Sequence, residues 1–468
     1  MKIITRFAPS PTGHIHIGSV RTALYTWLYA RSIKGNHILR IEDTDLSRSK
    51  PKYSESIVTV MNWLNIDWDE GPYIQSKRLA RYNDYICILL ATRLAYKCYC
   101  TKERLGCLRK THLTQGLKPK YDGYCRYKSS SYNDPKEYAI RFKTPIDGAT
   151  TFSDNIRGSI SFRNEELDDL IIKRSNGLPT YNLCVIVDDL DMEITHVIRG
   201  EEHINNTPRQ INILNALSSP IPIYAHVPII LGKTGKKLSK REQTTSILEF
   251  KYNGLLPEVL LSYIVKLGWT YVNKEIVNIR NLKAMFNIKS IRRAPSMFDY
   301  EKLLWVNQHY INYTSGLYYI EYTYKDLSKC NPIFKYGSIL KGIVSLYMSR
   351  SSTLKLLTES SNQLYICSSS SISEYMYYLE TMDSLATIEP IYKELALTKG
   401  WTISIIAVLI QKISISLNIT VCNIAMLLRI CILGKAESPG ISQVITIFNK
   451  ELLLSRIKKV TTMIKYIY

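Results

Sequence analysis

The sequence predicts an α/β domain built on a parallel sheet, followed by an all-α domain. Two observations carry this. Near the start, a short apolar strand, a glycine-containing loop, an apolar helix and a second strand succeed one another, the order that builds parallel sheet. Beyond about residue 312, Leu and Ile recur at i, i+3 and i+4 over long stretches, the pattern of packed helices rather than strands. The length of 468 residues adds that two to four domains are expected.

The front elements read in order. "KIITRFAP" is a short buried strand, broken by "SPTGHIHIG" with Pro11, Gly13 and Gly18. "SVRTALYTWLYARSI" carries Val20, Ala23, Leu24, Trp27 and Leu28 on one helical face, with Ser19 as the expected N-cap. "NHILRIEDTD" is a second strand that ends in acids. In such a sheet, ligands bind beyond the carboxyl ends of the strands, beside helix N-termini. The loop has neither GxGxxG nor GxxxxGK[ST], so neither a dinucleotide fold nor a P-loop is indicated. It offers the imidazoles of His14 and His16 instead, and an imidazole there can donate to phosphate oxygens. Far downstream, "LGKTGKK" runs into "KLSKR" at residues 237–241, a basic loop flanked by Gly232 and Gly235. Taken alone, that loop reads as a solvated basic surface.

Composition limits the partners. The formal net charge of +21 and a pI near 9.4 attract polyanions, so nucleic acid is the first partner to consider. A membrane is not expected: no run of about 18 uncharged apolar residues occurs, and "MKIITRFAPSPTG" lacks the apolar core of a signal peptide. Ten cysteines occur without a dense framework, which suits a reducing cytoplasm. Cys87, Cys184, Cys422 and Cys431 sit singly in apolar stretches and read as reduced core thiols.

"RFAPSPTGHIHIGSVRTALY", then "LRIEDTD", then "KLSKR", in that order, resembles the bacterial glutamyl-tRNA synthetases, which are class I aminoacyl-tRNA synthetases. "DEGPYIQSKR", "YKCYC", "KPKYDG", "ELDDLIIKRSNGLPTYN", "DDLDMEITHVIRGEEHINNTPRQ" and "LPEVLLSYIVKLGW" continue the resemblance to about Ile311. In this light "HIGS" at His16 matches the HIGH-type signature, and "KLSKR" the KMSKS-type loop that clamps ATP phosphates. The resemblance implies a Rossmann-type catalytic domain at 1–98 and 179–245, with an inserted tRNA acceptor-binding domain at 99–178. A helical stem-contact region at 246–311 and a helical anticodon-binding domain at 312–468 follow. It implies ATP-dependent ligation of L-glutamate to tRNA(Glu) through glutamyl-adenylate, with Mg2+ arriving on the nucleotide, by a cytoplasmic monomer.

It also implies roles. His16, Lys240 and Lys237 are the catalytic residues, meeting the phosphates and the leaving pyrophosphate. His16, Gly18, Glu202, His203 and Lys240 belong to the ATP site. Arg6, Ser10, Glu42, Tyr181 and Arg199 surround glutamate. The chemistry agrees, because two carboxylates and one ammonium need fixed cations and one anion. Ser19 stands where the general signature has His, and His14 where an aromatic is common.

In the insert, "YKCYCTKERL" and "YDGYCRY" supply Cys98, Cys100 and Cys125. Relatives that hold one Zn2+ follow the CxC with C-x-H, but here the last position is Tyr127. Whether zinc binds is left open, with Tyr127 or Tyr121 as the fourth ligand and Cys107 at a spacing that does not match. In the back half, "GSILKGIVSLYM", "GWTISIIAVLIQKISISLNI" and "CNIAMLLRICILGK" read as helices, which argues against the β-barrels of a glutaminyl enzyme. That half also argues against the short paralogue that glutamylates a modified tRNA base. A non-catalytic tRNA-binding protein would be expected to lose His16, Lys240, Arg6, Glu42 or Arg199, and all are present.

Overall fold

The computed structural model describes residues 2–45, 47–128, 137–236, 246–270, 277, 279–313, 319, 338–365 and 384–467. The chain divides into two units, Met1–Lys251 with Pro257–Tyr300, and Tyr252–Leu256 with Glu301–Tyr468. The break falls at Tyr300, ahead of the 311–312 boundary expected from sequence, because the helix that starts at Tyr300 belongs with the following helices.

In chain order the first unit holds β1 (Ile4–Phe7), α1 (Ile17–Ser32), β2 (Asn36–Ile41), α2 (Pro51–Trp63), β3 (Glu70–Ile74) and α3 (Leu79–Ala91). Next come β4 (Ala95–Cys98), α4 (Lys102–Thr114), β5 (Ala139–Phe142), β6 (Ala149–Asp154), β7 (Gly158–Arg163) and β8 (Ile171–Lys173). It continues with α5 (Tyr181–Asp191), β9 (His196–Gly200), α6 (Thr207–Ala216), β10 (Ile223–Val227) and β11 (Ile230–Leu231). α7 (Ile247–Tyr252), α8 (Pro257–Val265), α9 (Ile279–Met285) and β12 (Ser296–Met297) close the order.

The main sheet runs β3-β2-β1-β9-β10-β6-β7. Its neighbours are parallel except for β7, which returns antiparallel to β6. From β1 the chain winds outward through β2 and β3, and β9 then takes β1's other side. That reversal makes a crevice at the carboxyl ends of β1 and β9, where such sheets bind ligands. Arg6 lies on β1 and Arg199 on β9, so the reversal brings them to one place.

α1 is more buried than a one-faced helix. Besides Val20, Ala23, Leu24, Trp27 and Leu28, it buries Thr26 against His37 of β2, and Arg21 and Tyr25 because α8 and α9 cover the side turned away from β1 and β2. Its polar groups are answered locally. Tyr25 donates to the Val265 and Leu267 carbonyls, and Arg21 Nη1 to the Leu267 carbonyl. The N-cap is His16 rather than Ser19: His16 Nδ1 accepts the Ser19 backbone N–H at 3.3 Å, so the helix starts three residues earlier than expected. Pro257 opens α8 as expected, where its missing N–H costs nothing.

The stretch 99–178 is not one insert. β4, β5 and β8 form a separate three-stranded antiparallel sheet that begins before residue 99. The β6–β7 hairpin joins the main sheet through Tyr224 and Asp154, and Phe152 packs with Ile4, Ile38, Val197 and Tyr224. β6 buries every second residue, Thr150, Phe152 and Asp154, against that core. Of the thiols read as core, Cys184 and Cys431 are buried, whereas Cys87 and Cys422 are exposed on outward helix faces.

The second unit is helical: α10 (Tyr300–Tyr313), α11 (Ser338–Met348), α12 (Leu354–Tyr365), α13 (Ser384–Leu397), α14 (Ile403–Leu417), α15 (Val421–Leu433), α16 (Ile441–Ile447) and α17 (Lys450–Ile467). Thr402 and Thr420 cap the N-termini of α14 and α15, and Asn418 and Gly434 close them in the left-handed conformation. The serine-rich break near Ser368 lies outside the described residues. Among the described residues, no single helix is long and apolar enough to cross a membrane.

Candidate active site

The crevice between β1 and β9 opens into a cavity of about 300 Å3. Arg6, Ser10, His16, Gly18, Glu42, Tyr181, Arg199, Glu202 and His203 all line it. These residues come from four separated segments of the chain, and the fold gathers them at one point. Lys237 and Lys240 lie outside the described residues.

One wall belongs to the nucleotide motif. His16 caps α1, so its ring stands at the positive end of the helix. Nδ1 accepts from the Ser19 N–H, which leaves Nε2, 3.3 Å from Ser19 Oγ, as the donor nitrogen of the neutral ring. Gly18 lies beneath this ring: a Cβ there would come within 3.1 Å of two of its atoms, a tight contact. His14 turns its ring edge-on to Tyr53 at 5.1 Å. Gly200 makes room for Glu202, whose carboxylate would lie 2.3 Å from an added Cβ.

The other wall is electrostatic. Arg6 is buried and paired with Asp189, Nε to Oδ1 at 3.2 Å. Wholly buried Arg40 binds the same Asp189 oxygen at 2.7 Å, Glu42 at 3.2 Å and Asp188 at 3.7 Å. Asp188 in turn accepts from Gln75 Nε2, Arg78 Nε and the Tyr82 hydroxyl. Burial pushes Asp189 up, but the Arg6 and Arg40 charges outweigh it and hold Asp189 ionised below the ordinary carboxylate range. Glu42 goes the other way. Burial raises it more than Arg40 and Arg6 lower it, so it lacks a full complement of cations. A ligand ammonium would supply the missing charge.

Arg199 is buried but incompletely paired. Its Nε donates to His226 Nε2 at 3.2 Å and its Nη2 to Thr207 Oγ1 at 2.8 Å, while Nη1 has no partner. An unpartnered guanidinium nitrogen in a buried wall is costly unless a ligand meets it. Tyr181 is pushed up to about 12 by burial, so it keeps its proton and can donate. His203 is pulled down to about 4, by burial first and then by the Arg199 charge, so its imidazole is neutral at pH 7. Sequence reading missed Arg40, Asp188, Asp189, Asp154 and His226. The signal was present as charges embedded in apolar runs, "HILRIED" and "LCVIVDDLD".

A second cluster sits at the end of β4. The Sγ atoms of Cys98, Cys100 and Cys125 all lie within 4.8 Å of one another, with Cys100 and Cys125 at 3.6 Å. Thiolates on one tetrahedral zinc stand about 3.8 Å apart, so the set fits that ion. The Tyr121 hydroxyl is 3.5 Å from Cys98 Sγ and 3.6 Å from Cys100 Sγ. Tyr127 is 80% exposed. Cys107 is exposed on α4 and outside the cluster.

Comparison with known proteins agrees with this geometry. Residues 2–305 match the family of tRNA synthetases class I (E and Q), catalytic domain, and residues 323–461 match an anticodon binding domain. The glutamate–tRNA ligase of Buchnera aphidicola (subsp. Acyrthosiphon pisum) is 46% identical over 470 residues, covering 99% of this chain and 100% of that one. A glutamate tRNA ligase from Elizabethkingia meningosepticum, solved in complex with its amino acid, superposes with a TM-score of 0.84 at 28% identity. The glutamate-tRNA synthetase of Elizabethkingia anophelis does so at 0.80 and 28%. In both structures the match covers 99% of this chain and 100% of the other. With a parallel-sheet catalytic unit, a helical anticodon-binding unit and full-length similarity, the chain belongs to the glutamate–tRNA ligases of class I.

Proposed function

We propose that the cavity between β1 and β9 is where glutamate and ATP meet, and we assign its side chains accordingly. The enzyme ligates L-glutamate to tRNA(Glu) with ATP, first as glutamyl-adenylate with release of pyrophosphate, then by transfer to the 3′ end of the tRNA. The observation that carries the assignment is the buried, unpartnered Nη1 of Arg199 in the cavity wall. Arg199 and Arg6 take the two carboxylates of glutamate, and Tyr181 and Ser10 add hydroxyl donors. Glu42 faces the ammonium.

His16 donates its Nε2 proton to the ATP phosphates at the α1 N-terminus, beside Gly18. Glu202 and neutral His203 meet the ribose or base. Lys240, with Lys237, neutralises the charge that grows on departing pyrophosphate. These groups act by position and charge, since an anionic attacker must approach an anionic phosphorus. Mg2+ comes with the nucleotide and screens the same phosphates.

One Zn2+ would be held by Cys98, Cys100 and Cys125, with the Tyr121 hydroxyl at the fourth position. There it would tie the end of β4 to the 121–125 loop, next to the region assigned to the tRNA acceptor end. In the helical unit, a cavity of about 500 Å3 lined by Tyr347, Arg350, Arg429 and Lys435 offers cations beside an aromatic ring. That chemistry suits the unpaired bases and phosphates of an anticodon loop. The reading is completed by a cytoplasmic monomer, consistent with the free thiols among the described residues.

Aminoacylation with labelled glutamate, using glutamate and glutamine tRNAs in parallel, tests the whole. Charging of glutamate tRNA alone is expected from a unit that reads the anticodon. Charging of both would remove that role from the helical unit, and charging of neither by folded protein would overturn the site.

A further inference from the structure

We propose that Asp154 and His226 are positioning residues for the amino acid, forming a carboxylate–imidazole relay that aims Arg199 into the cavity. The inference rests on the reading that Arg199 binds a glutamate carboxylate. Neither residue lines the cavity itself. His226 lies on β10, beside the strand that carries Arg199, and Asp154 on β6, one strand further out.

The sheet sets up the contact. β9 and β10 pair in a register that places His226 opposite Arg199. β6 pairs with β10 on the far side, through Tyr224 and Asp154. His226 and Asp154 Oδ2 are therefore brought to 2.6 Å through Nδ1. Both side chains are fully buried.

The protons can be assigned from partners alone. Asp154 Oδ2 also accepts the His226 backbone N–H at 3.0 Å. Oδ1 accepts the backbone N–H groups of Ile156 and Arg157 at 2.9 and 2.8 Å. Three backbone N–H groups thus donate to the two oxygens, which favours the charged form, so Asp154 is a carboxylate. The short contact to Nδ1 must then be Nδ1–H donating to it. A neutral His226 protonated on Nδ1 has its lone pair on Nε2, which points at Arg199 Nε–H, 3.2 Å away. Thr207 completes the grip: its Oγ1 accepts from Arg199 Nη2 at 2.8 Å and lies 3.2 Å from His226 Nε2. With Nε and Nη2 held, the guanidinium plane is fixed and only Nη1 remains for a ligand. The other tautomer would set an N–H against an N–H, and Arg199 would have to turn. The direction of titration agrees, because burial first, and the Arg199 charge against it, outweigh Asp154 and keep His226 neutral at pH 7.

The test uses the full enzyme and steady-state ATP–pyrophosphate exchange, with the KM for glutamate and for ATP measured separately. Glutamine at position 226 can put an amide oxygen where Nε2 accepts from Arg199, whereas asparagine reaches only toward Asp154. His226→Asn is expected to raise the glutamate KM about tenfold or more with the ATP KM within twofold. His226→Gln is expected to recover most of that loss, and the melting temperature of both variants reports folding. Arg199→Lys is the control and raises the glutamate KM by at least as much. If it does so while the Asn and Gln variants have equal glutamate KM, the relay is wrong. If Arg199→Lys leaves the glutamate KM unchanged, the assignment of Arg199 is wrong and the relay falls with it.

Discussion

Arg6 and Arg40 share one oxygen of Asp189: Arg6 Nε lies 3.2 Å and Arg40 Nη1 2.7 Å from Oδ1. One buried carboxylate thus holds a cavity arginine and a wholly buried arginine behind it. Breaking a buried pair leaves charge uncompensated, which costs about 3–5 kcal/mol. Asp189→Asn is expected to destabilise by that order in urea denaturation, because the amide would face a guanidinium with its own N–H groups. A loss below about 1 kcal/mol would show that the pair is not needed to keep Arg6 and Arg40 buried.

Lys240 is assigned to the leaving pyrophosphate. Lys240→Ala is expected to slow adenylate formation at least about tenfold, the effect of removing one phosphate-contacting charge worth roughly 1.4 kcal/mol. ATP–pyrophosphate exchange measures it. An unchanged rate in a folded variant would refute the role.

The three thiols make a claim about metal content. Purified enzyme is expected to carry roughly one zinc per chain, and Cys100→Ser to lose it with a fall in melting temperature. Tyr121→Phe is expected to weaken retention against a chelator, while Tyr127→Phe leaves it unchanged. Atomic absorption after chelator dialysis separates these outcomes. Equal retention in the two tyrosine variants would remove Tyr121 from the site.

The site's outline was legible because its residues stand in short ordered motifs around turns, such as "HIG" before α1 and "IRGEEH" after β9. Local chemistry at a helix start or strand end can be read from local sequence. The supporting charges were not legible. Arg40 sits mid-strand and Asp188 mid-helix, where apolar neighbours promise only core, and what pairs them is contact across separate elements. Asp154 and His226 are 72 residues apart, and only the β6–β10–β9 order brings them to Arg199. The insert was misread for the same reason: β6 has the alternation of any half-buried strand, and nothing local says which sheet it joins. The Tyr121 and Tyr127 alternatives differ by which way a loop faces, which spacing does not encode.

His37 gives the enzyme an acid-side weakness. It is fully buried on β2, with Nδ1 3.0 Å from the Asp67 carbonyl and Nε2 3.1 Å from Thr26 Oγ1. Burial pulls it down to about 4, against the opposing pull of the Asp67 carbonyl. Between pH 6.5 and about 4 the unfolded chain therefore takes up a proton that the folded chain refuses. Stability is full above pH 6.5 and falls as pH drops through this window, by about 3 kcal/mol at its lower end. His203, pulled down to about 4 as well, adds a loss of the same sign. Urea denaturation at pH 7.5 and pH 5, wherever unfolding is reversible, should show the fall, and His37→Gln should lessen it. A variant with the same pH slope as the parent would mean that His37 does not set the acid limit.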